Sequence, residues 1–286
     1  MEVSKLKSSW IMLTNQCNLK CKYCWLTKYY GDVQPKRMTF WTALRSIDFI
    51  CDMGEEGVGI TFFGGEPLLE FDLIKAIMDQ RPNLNYGLYT NSVLLDDNKL
   101  NYLIENRDFI RIILSIDGLQ STNLEWRGCN YDEEIAKKVF KRFKTSSARF
   151  TVLDPKTCYA GAKYLQNLGA PKITINFPHF VDLPDGYDQQ FDEEVQRIKG
   201  NYSLNAVTTI SDCRKKTFCK ASMEYIVVSP EGDIYPCDLF YWVGKDKLGN
   251  VNDGIDEVLR REFLEKVNSL KSIESSCIAE QLYYTS

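Results

Sequence analysis

Cys17, Cys21 and Cys24 lie in the run Asn15-Gln16-Cys17-Asn18-Leu19-Lys20-Cys21-Lys22-Tyr23-Cys24-Trp25. Their C-x3-C-x2-C spacing lets one short loop present three thiolates to one inorganic cluster. No fourth cysteine follows nearby, so one iron of a [4Fe–4S] cluster would lack a protein ligand and stay open to a substrate. Free cysteine is often a core residue, yet the polar flanks Asn15, Lys20 and Lys22 speak against simple burial. The chain has ten cysteines and a single histidine, His179. Histidine-rich zinc and iron centres and histidine-based triads are thereby excluded, and any metal must be held mainly by thiolates.

A second set of cysteines stands near the C-terminus: Cys213, Cys219, Cys237 and Cys277. Cys219 and Cys237 bracket Gly232 in the pattern C-x12-G-x4-C, a hairpin with a cysteine at either end. Four thiolates can ligate an iron–sulfur cluster completely and close it to substrate. A four-thiolate zinc site or a set of structural thiols are the alternatives. Cys51 and Cys158 fall in helical patterns and read as core thiols.

These residues need a scaffold, and hydrophobic period supplies one. Short apolar runs at Trp10–Leu13, Gly57–Phe63, Tyr86–Tyr89, Ile110–Ser115, Arg149–Leu153 and Ile173–Phe177 read as strands. Amphipathic segments at Thr39–Met53, Phe71–Gln80, Asn98–Glu105, Asp132–Phe143 and Cys158–Leu168 read as the helices between them. Six strands alternating with helices predict an α/β fold with a parallel sheet. Right-handed crossovers curl such units into a partial (β/α)6 TIM-like barrel, with a flat doubly wound sheet as the alternative. Either way, ligands belong at the C-terminal ends of the strands.

After Phe177 a Pro- and Gly-punctuated stretch marks a boundary. The expected organisation is a barrel over residues 1–184, a linker helix over 185–208 and a small domain over 209–286. That last domain reads as a β-hairpin, Glu224–Ser229 with Ile234–Pro236, and a final helix over Gly254–Leu270.

The 286 residues, 44% apolar and 26% charged, suffice for one large and one small domain and are too apolar for a disordered chain. A net charge of −4 without a basic patch suggests no nucleic-acid partner. No apolar run can span a bilayer, and no signal peptide opens the chain, so the expected location is cytoplasmic. In that compartment many cysteines point to metal or redox chemistry rather than disulfides.

The first cysteine loop, with Tyr23 as its aromatic, resembles the signature of the radical SAM enzymes, C-x3-C-x-aromatic-C after the first strand of a partial barrel. Further segments at strand ends match the same family: Gly64-Gly65-Glu66-Pro67 resembles the GGEP motif, Thr90-Asn91-Ser92 a TNG-like segment, and Ser115-Ile116-Asp117-Gly118 the S-x-D-G motif. The resemblance implies that Cys17, Cys21 and Cys24 hold a [4Fe–4S] cluster whose open iron is chelated by S-adenosylmethionine (SAM). Reductive cleavage of SAM would give a 5′-deoxyadenosyl radical that abstracts a hydrogen atom, the protein positioning and shielding the cofactor. Paired glycines let backbone groups approach a ligand closely, here the SAM ammonium, with help from Glu66. Asn91 would lie near the ribose, Ser115 on SAM's polar groups, Asp117 toward ribose or substrate, and Arg149 on the SAM carboxylate. Arg127-Gly128 fits the R-G that often follows S-x-D-G.

Cys219, Gly232 and Cys237, with Pro230–Cys237 and Leu248-Gly249-Asn250-Val251, resemble the first part of the SPASM/twitch extension. The fuller cysteine run of a two-cluster domain is missing, so one auxiliary [4Fe–4S] cluster on Cys213, Cys219, Cys237 and Cys277 is the expectation. The resemblance is to the subgroup that contains anaerobic sulfatase-maturating enzymes and ribosomal-peptide maturases. It implies oxidative modification of a peptide or protein, the auxiliary cluster serving as electron acceptor or structural element and a flavodoxin or ferredoxin as electron donor. The alternatives are a dehydrogenase or epimerase acting on an amino sugar or cyclitol, or a non-catalytic iron–sulfur electron carrier. With the barrel starting near Trp10, the expectation is a separate recognition protein for a leader peptide, or none. Cys129, on the loop after the fourth strand, could return a hydrogen atom to a substrate radical. An oxidative reaction needs a proton acceptor, for which Asp117, Asp154 and Asp182 are candidates, and His179 could line the cavity.

Overall fold

The computed structural model of the chain describes residues 5–24, 34–178, 181–201, 203–211 and 221–269. Along the chain run β1 (Leu6–Thr14), α1 (Phe40–Met53), β2 (Gly54–Gly64), a 3-10 turn (Pro67–Glu70), α2 (Phe71–Gln80) and β3 (Asn85–Thr90). Next come α3 (Asp97–Glu105), β4 (Ile110–Ser115), α4 (Gln120–Arg127), α5 (Glu133–Arg142) and β5 (Ser147–Thr151). A 3-10 turn (Pro155–Thr157) leads to α6 (Cys158–Asn167), β6 (Ile173–Asn176), α7 (Tyr187–Lys199) and β7 (Val207–Ser211). The C-terminal part holds β8 (Val227–Val228), β9 (Asp233–Tyr235), α8 (Asp238–Val243), β10 (Gly249–Asn250), β11 (Gly254–Ile255) and α9 (Glu257–Ser269). The described residues fall into two compact units, one within Met1–Asn18, Lys28–Leu88 and Arg214–Ser286, the other within Leu19–Thr27 and Tyr89–Cys213.

In the first unit β1 pairs in parallel with β2, and β2 with β3. Ile11, Met12 and Leu13 of β1 are wholly buried, as a parallel strand covered on both faces must be. Each such side chain contributes about 1.5–3 kcal/mol of burial. The helix α1 forms where Thr39 accepts a hydrogen bond from the Thr42 amide at 3.1 Å, the work of an N-cap. Its buried residues Ala43, Leu44, Ile47 and Ile50 follow a helical stripe toward the sheet.

The hairpin read from sequence is present as β8 and β9, closed by a Gly232 amide to Ser229 carbonyl bond of 2.9 Å. It is not free-standing. The two-residue β8 joins β1 in parallel, Trp10 opposite Val227 and Ile11 opposite Val228, while β10 extends β9 and β11 extends β10 in antiparallel. Strands of two residues carry no period, which is why their partners were not legible. The final helix starts three residues later than expected, because Gly254-Ile255 is β11 and Asp256 caps α9, accepting from the Val258 amide at 2.9 Å.

In the second unit β4, β5, β6 and β7 pair in parallel in that order. Residues 185–208, expected as a linker helix, hold α7 and also reach into β7, where β-branched Val207 pairs with Ile173. The fifth strand lies two residues earlier than expected: Ser147 already pairs with Ile113, and the chain beyond Thr151 leads into the turn that Asp154 caps by accepting from the Lys156 amide at 3.0 Å. Ala148, Phe150, Ile173 and Ile175 share one face and are wholly buried. Gly161 of α6 packs there so closely that a Cβ on it would lie 2.7 Å from the Phe150 ring. Side chains alternate across a strand, so the opposite face carries Ser115, Arg149 and Thr174, aligned in one row across β4, β5 and β6.

Candidate active site

In the first unit the chain leaving β1 is pinned before it reaches Cys17. Thr14 donates its hydroxyl to the Lys36 carbonyl at 2.9 Å and accepts from the Gln16 amide at 3.1 Å. Asn15 is buried, donates to the Gln34 carbonyl at 2.9 Å and accepts from the Lys36 amide at 2.8 Å. The segment after β2 adds two backbone bonds: Gly65 N–H to the Thr14 carbonyl at 2.9 Å and Glu66 N–H to the Gln16 carbonyl at 2.8 Å. A Cβ on Gly65 would meet the Gln16 oxygen at 2.0 Å. The paired glycines, expected to make room for a ligand, also make room for the Thr14 and Gln16 carbonyls. Glu66 is 1% exposed, and its carboxylate accepts from the Leu68 amide at 3.0 Å, capping the 3-10 turn.

In the second unit a charged network lies against the rest of the cysteine loop. Asp117, two residues past β4, is fully buried. Arg127 closes α4 and forks onto it, Nε to Oδ2 at 2.8 Å and Nη2 to Oδ1 at 3.0 Å. Tyr23 donates its hydroxyl to Oδ2 at 2.5 Å, and the Thr151 amide donates to Oδ1 at 3.1 Å. Four donors saturate this carboxylate, so Asp117, expected as a catalytic acid/base candidate, anchors structure and has no lone pair aimed at substrate. Burial works against the Arg127 charge, and Asp117, Tyr23 and Cys21 together outweigh it, raising the guanidinium above its usual range. Burial likewise pushes the Tyr23 phenol well above its usual range. Gly118 adopts a left-handed φ of 77° and packs on Gly161, whose Cα would lie 2.6 Å from a Cβ at 118.

Cys17 and Cys24 are half-buried, Cys21 is buried, and none of the three is in a disulfide. Burial raises the Cys21 thiol, Arg127 pulls it down, and Asp117 and Cys129 push it up, so Cys129 lies within electrostatic reach of this loop. Burial also raises Cys129, which is half-buried. Ser115 and Arg149 stand opposite each other on β4 and β5. Arg149 is the third residue of its strand, not the first, and donates to the Tyr89 hydroxyl at 3.1 Å with its guanidinium over that ring. Asn91 is buried and accepts from the Val93 amide at 3.0 Å, a turn-forming bond. Asp154 and Asp182 are exposed.

Asn176 was not anticipated. It ends β6 with both carboxamide atoms buried and without a hydrogen-bond partner among the described residues. A polar residue closing an apolar run was the available signal. Cys237 is buried and precedes α8; Cys213, Cys219, Cys277 and His179 lie outside the described residues.

Among the described residues no three cysteine, histidine or carboxylate side chains converge as a single metal ion requires. A four-iron cluster makes no such demand, because each thiolate binds a different iron. Three cysteines on one loop, none in a disulfide, with Asp117 already held by its own partners, fit a cluster with one open corner.

The model of the radical SAM superfamily matches residues 11–153, the half of the chain that contains the cysteine loop, Glu66, Asn91, Ser115, Asp117, Arg127 and Arg149. The chain belongs to the radical SAM superfamily. Residues 219–279 match the SPASM iron–sulfur cluster-binding domain. Radical SAM proteins use a [4Fe–4S] cluster with SAM, and the SPASM domain adds an auxiliary iron–sulfur cluster. Similar radical SAM proteins include a GTP 3′,8-cyclase of Aliarcobacter butzleri, 25% identical over 90% of this chain and 87% of its own. A cysteine-type anaerobic sulfatase-maturating enzyme of Clostridium perfringens is 24% identical over 91% of this chain and 80% of its own. The fold matches Streptococcus suis SuiB bound to its precursor peptide SuiA with a TM-score of 0.76, at 16% identity over 99% of this chain and 74% of that one. That likeness places the α/β fold with the TIM-like partial barrels of the radical SAM family. No helix among the described residues is long and apolar enough to cross a membrane.

Proposed function

We propose that this radical SAM protein modifies a peptide or protein substrate, oxidatively, using SAM and one auxiliary cluster. The observation that carries the reading is the combination of the SPASM match with similarity over 91% of this chain to a sulfatase-maturating enzyme. In this reading Cys17, Cys21 and Cys24 hold the first cluster, and Cys213, Cys219, Cys237 and Cys277 the auxiliary one. Held there, the cluster and SAM would supply one-electron, hydrogen-abstracting chemistry, with a flavodoxin or ferredoxin as the electron donor.

The chain's own residues orient and shield. Ser115 and Arg149, adjacent on one strand face, offer a hydroxyl and a guanidinium to SAM, the latter suited to its carboxylate. Asn91 and Glu66 add polar groups at the ends of β3 and β2. The proton lost in an oxidation goes to a group other than Asp117, whose lone pairs are taken.

The test is anaerobic incubation of the reduced holoprotein with SAM and a synthetic peptide spanning the modified cysteine of a cysteine-type sulfatase. Formation of 5′-deoxyadenosine with a mass loss on the peptide supports the reading; unaltered peptide in the presence of rapid SAM cleavage counts against this substrate class. Similarity to a GTP cyclase supports a second reading, a small-molecule substrate, and turnover of GTP in the same assay would favour it.

A further inference from the structure

The second unit holds the cysteine loop in a way that the cluster-ligand reading leaves unassigned. Beside an exposed Lys22–Glu125 ion pair of 3.6 Å, three closer ties converge on residues 22 and 23. The Lys22 amide donates to the Trp126 carbonyl at 2.8 Å. The Tyr23 hydroxyl donates to Asp117 at 2.5 Å. The Arg127 guanidinium lies 5.4 Å from the Tyr23 ring centroid, in cation–π range. All three reach the last turn of α4 or its ion-pair partner, and all act between Cys21 and Cys24. A fourth bond, Cys24 N–H to the Cys21 carbonyl at 3.1 Å, closes the loop into a turn.

The other side of the latch is equally braced. Asn123 of α4 accepts from the Asp117 amide at 2.9 Å and donates to the Cys129 carbonyl at 2.8 Å. Thr122 donates to the Asp117 carbonyl at 2.6 Å. The carboxylate position is therefore fixed by α4 itself, and the Tyr23 side chain carries this position into the cysteine loop.

We propose that Arg127 and Asp117 are positioning residues that set Tyr23, and through it the thiols of Cys21 and Cys24, in the geometry a cluster needs. The inference rests on the reading that these cysteines are cluster ligands. Groups that orient metal ligands from behind tune affinity for the metal strongly, about 10–100-fold when removed. A point charge cannot replace the planar fork of arginine on a carboxylate, so even a charge-conserving change should register.

The experiment follows iron release to a chelator from anaerobic full-length holoprotein, for wild type, Tyr23→Phe and Arg127→Lys. The phase missing from a Cys17/Cys21/Cys24→Ala triple variant identifies the first cluster, and the remaining phase reports the auxiliary one. Both variants are expected to release first-cluster iron about tenfold faster, with auxiliary release unchanged and the SAM-induced shift of the reduced cluster's electron paramagnetic resonance signal altered. Release that speeds up equally from both clusters marks a general loss of stability and overturns the inference. So does wild-type behaviour of both variants. Failure of the ligand reading itself would show separately, as undiminished iron in the triple cysteine variant.

Discussion

The Glu66 amide donates to the Gln16 carbonyl at 2.8 Å, tying the segment after β2 to the residue immediately before Cys17. Beside it, Gly65 leaves no room for a Cβ, which would fall 2.0 Å from that same carbonyl oxygen. The glycine–glycine–glutamate run thus shapes the entry to the cysteine loop from within the first unit, in addition to whatever it offers a ligand.

Gly65→Ala is expected to displace Gln16 and Cys17 and so to lower iron incorporation on anaerobic reconstitution, with the auxiliary cluster retained. Iron per chain, compared with wild type and with a Cys17→Ala variant, checks this. Equal iron in Gly65→Ala and wild type would show that the loop tolerates the shift.

Removing one partner of the Asp117–Arg127 pair strands a buried charge. Arg127→Ala should cost about 3–5 kcal/mol of unfolding free energy, whereas Tyr23→Phe, which removes one bond to a charged acceptor, should cost about 1.5–3 kcal/mol. Replacing both charges by apolar residues, Asp117→Leu with Arg127→Met, should recover much of the larger loss. Chemical unfolding of the three variants under one set of conditions measures the order.

Gly118 and Gly161 touch where the S-x-D-G turn meets α6. A side chain at 118 faces both the clash and a left-handed backbone, so Gly118→Ala should destabilise by about 1–3 kcal/mol. Thermal unfolding should show the drop, and Gly128→Ala provides the control. Gly128 shares the left-handed φ of 78° but has no neighbour within 4 Å of a Cβ, so its loss should be smaller.

Glu133 receives hydrogen bonds from the Tyr164 hydroxyl and from the Gln120 amide, which hold its carboxyl below the ordinary value of 4.5. A carboxyl depressed in the folded state adds stability that is complete at neutral pH, declines as pH falls below the ordinary value, and vanishes below the depressed one. The stability gap between wild type and Glu133→Gln should therefore narrow as the pH is lowered from roughly 6 to roughly 3.5. A gap that stays constant over this range would show that the carboxylate charge contributes nothing.

What sequence revealed was whatever is encoded locally. The cysteine spacing, the strand-end motifs and the helices α1, α2 and α5 repeat or cap over a few residues, and the structure has α2 at Phe71–Gln80 and β4 at Ile110–Ser115, as read. What it concealed were partners. Arg127 stands ten residues from Asp117 in a helix too polar to announce itself, and Tyr23 lies far upstream of both. Asp117 looked catalytic because a motif aspartate at a strand end suggests chemistry; only the four donors around it reveal a structural anchor. Gly161 gave no sign that it pairs with Gly118, and the short strands β8, β10 and β11 pair with too few residues for any period to show. Asn176 became visible only when its burial and missing partners were known.

The central claim is that the thiols of Cys17, Cys21 and Cys24 leave one iron open to SAM. The most direct measurement is the electron paramagnetic resonance spectrum of the reduced, reconstituted holoprotein before and after SAM is added. The account predicts a shifted signal on SAM addition, absent from the Cys17/Cys21/Cys24→Ala variant, together with release of 5′-deoxyadenosine. A spectrum that SAM leaves unchanged in protein carrying its full iron would contradict it.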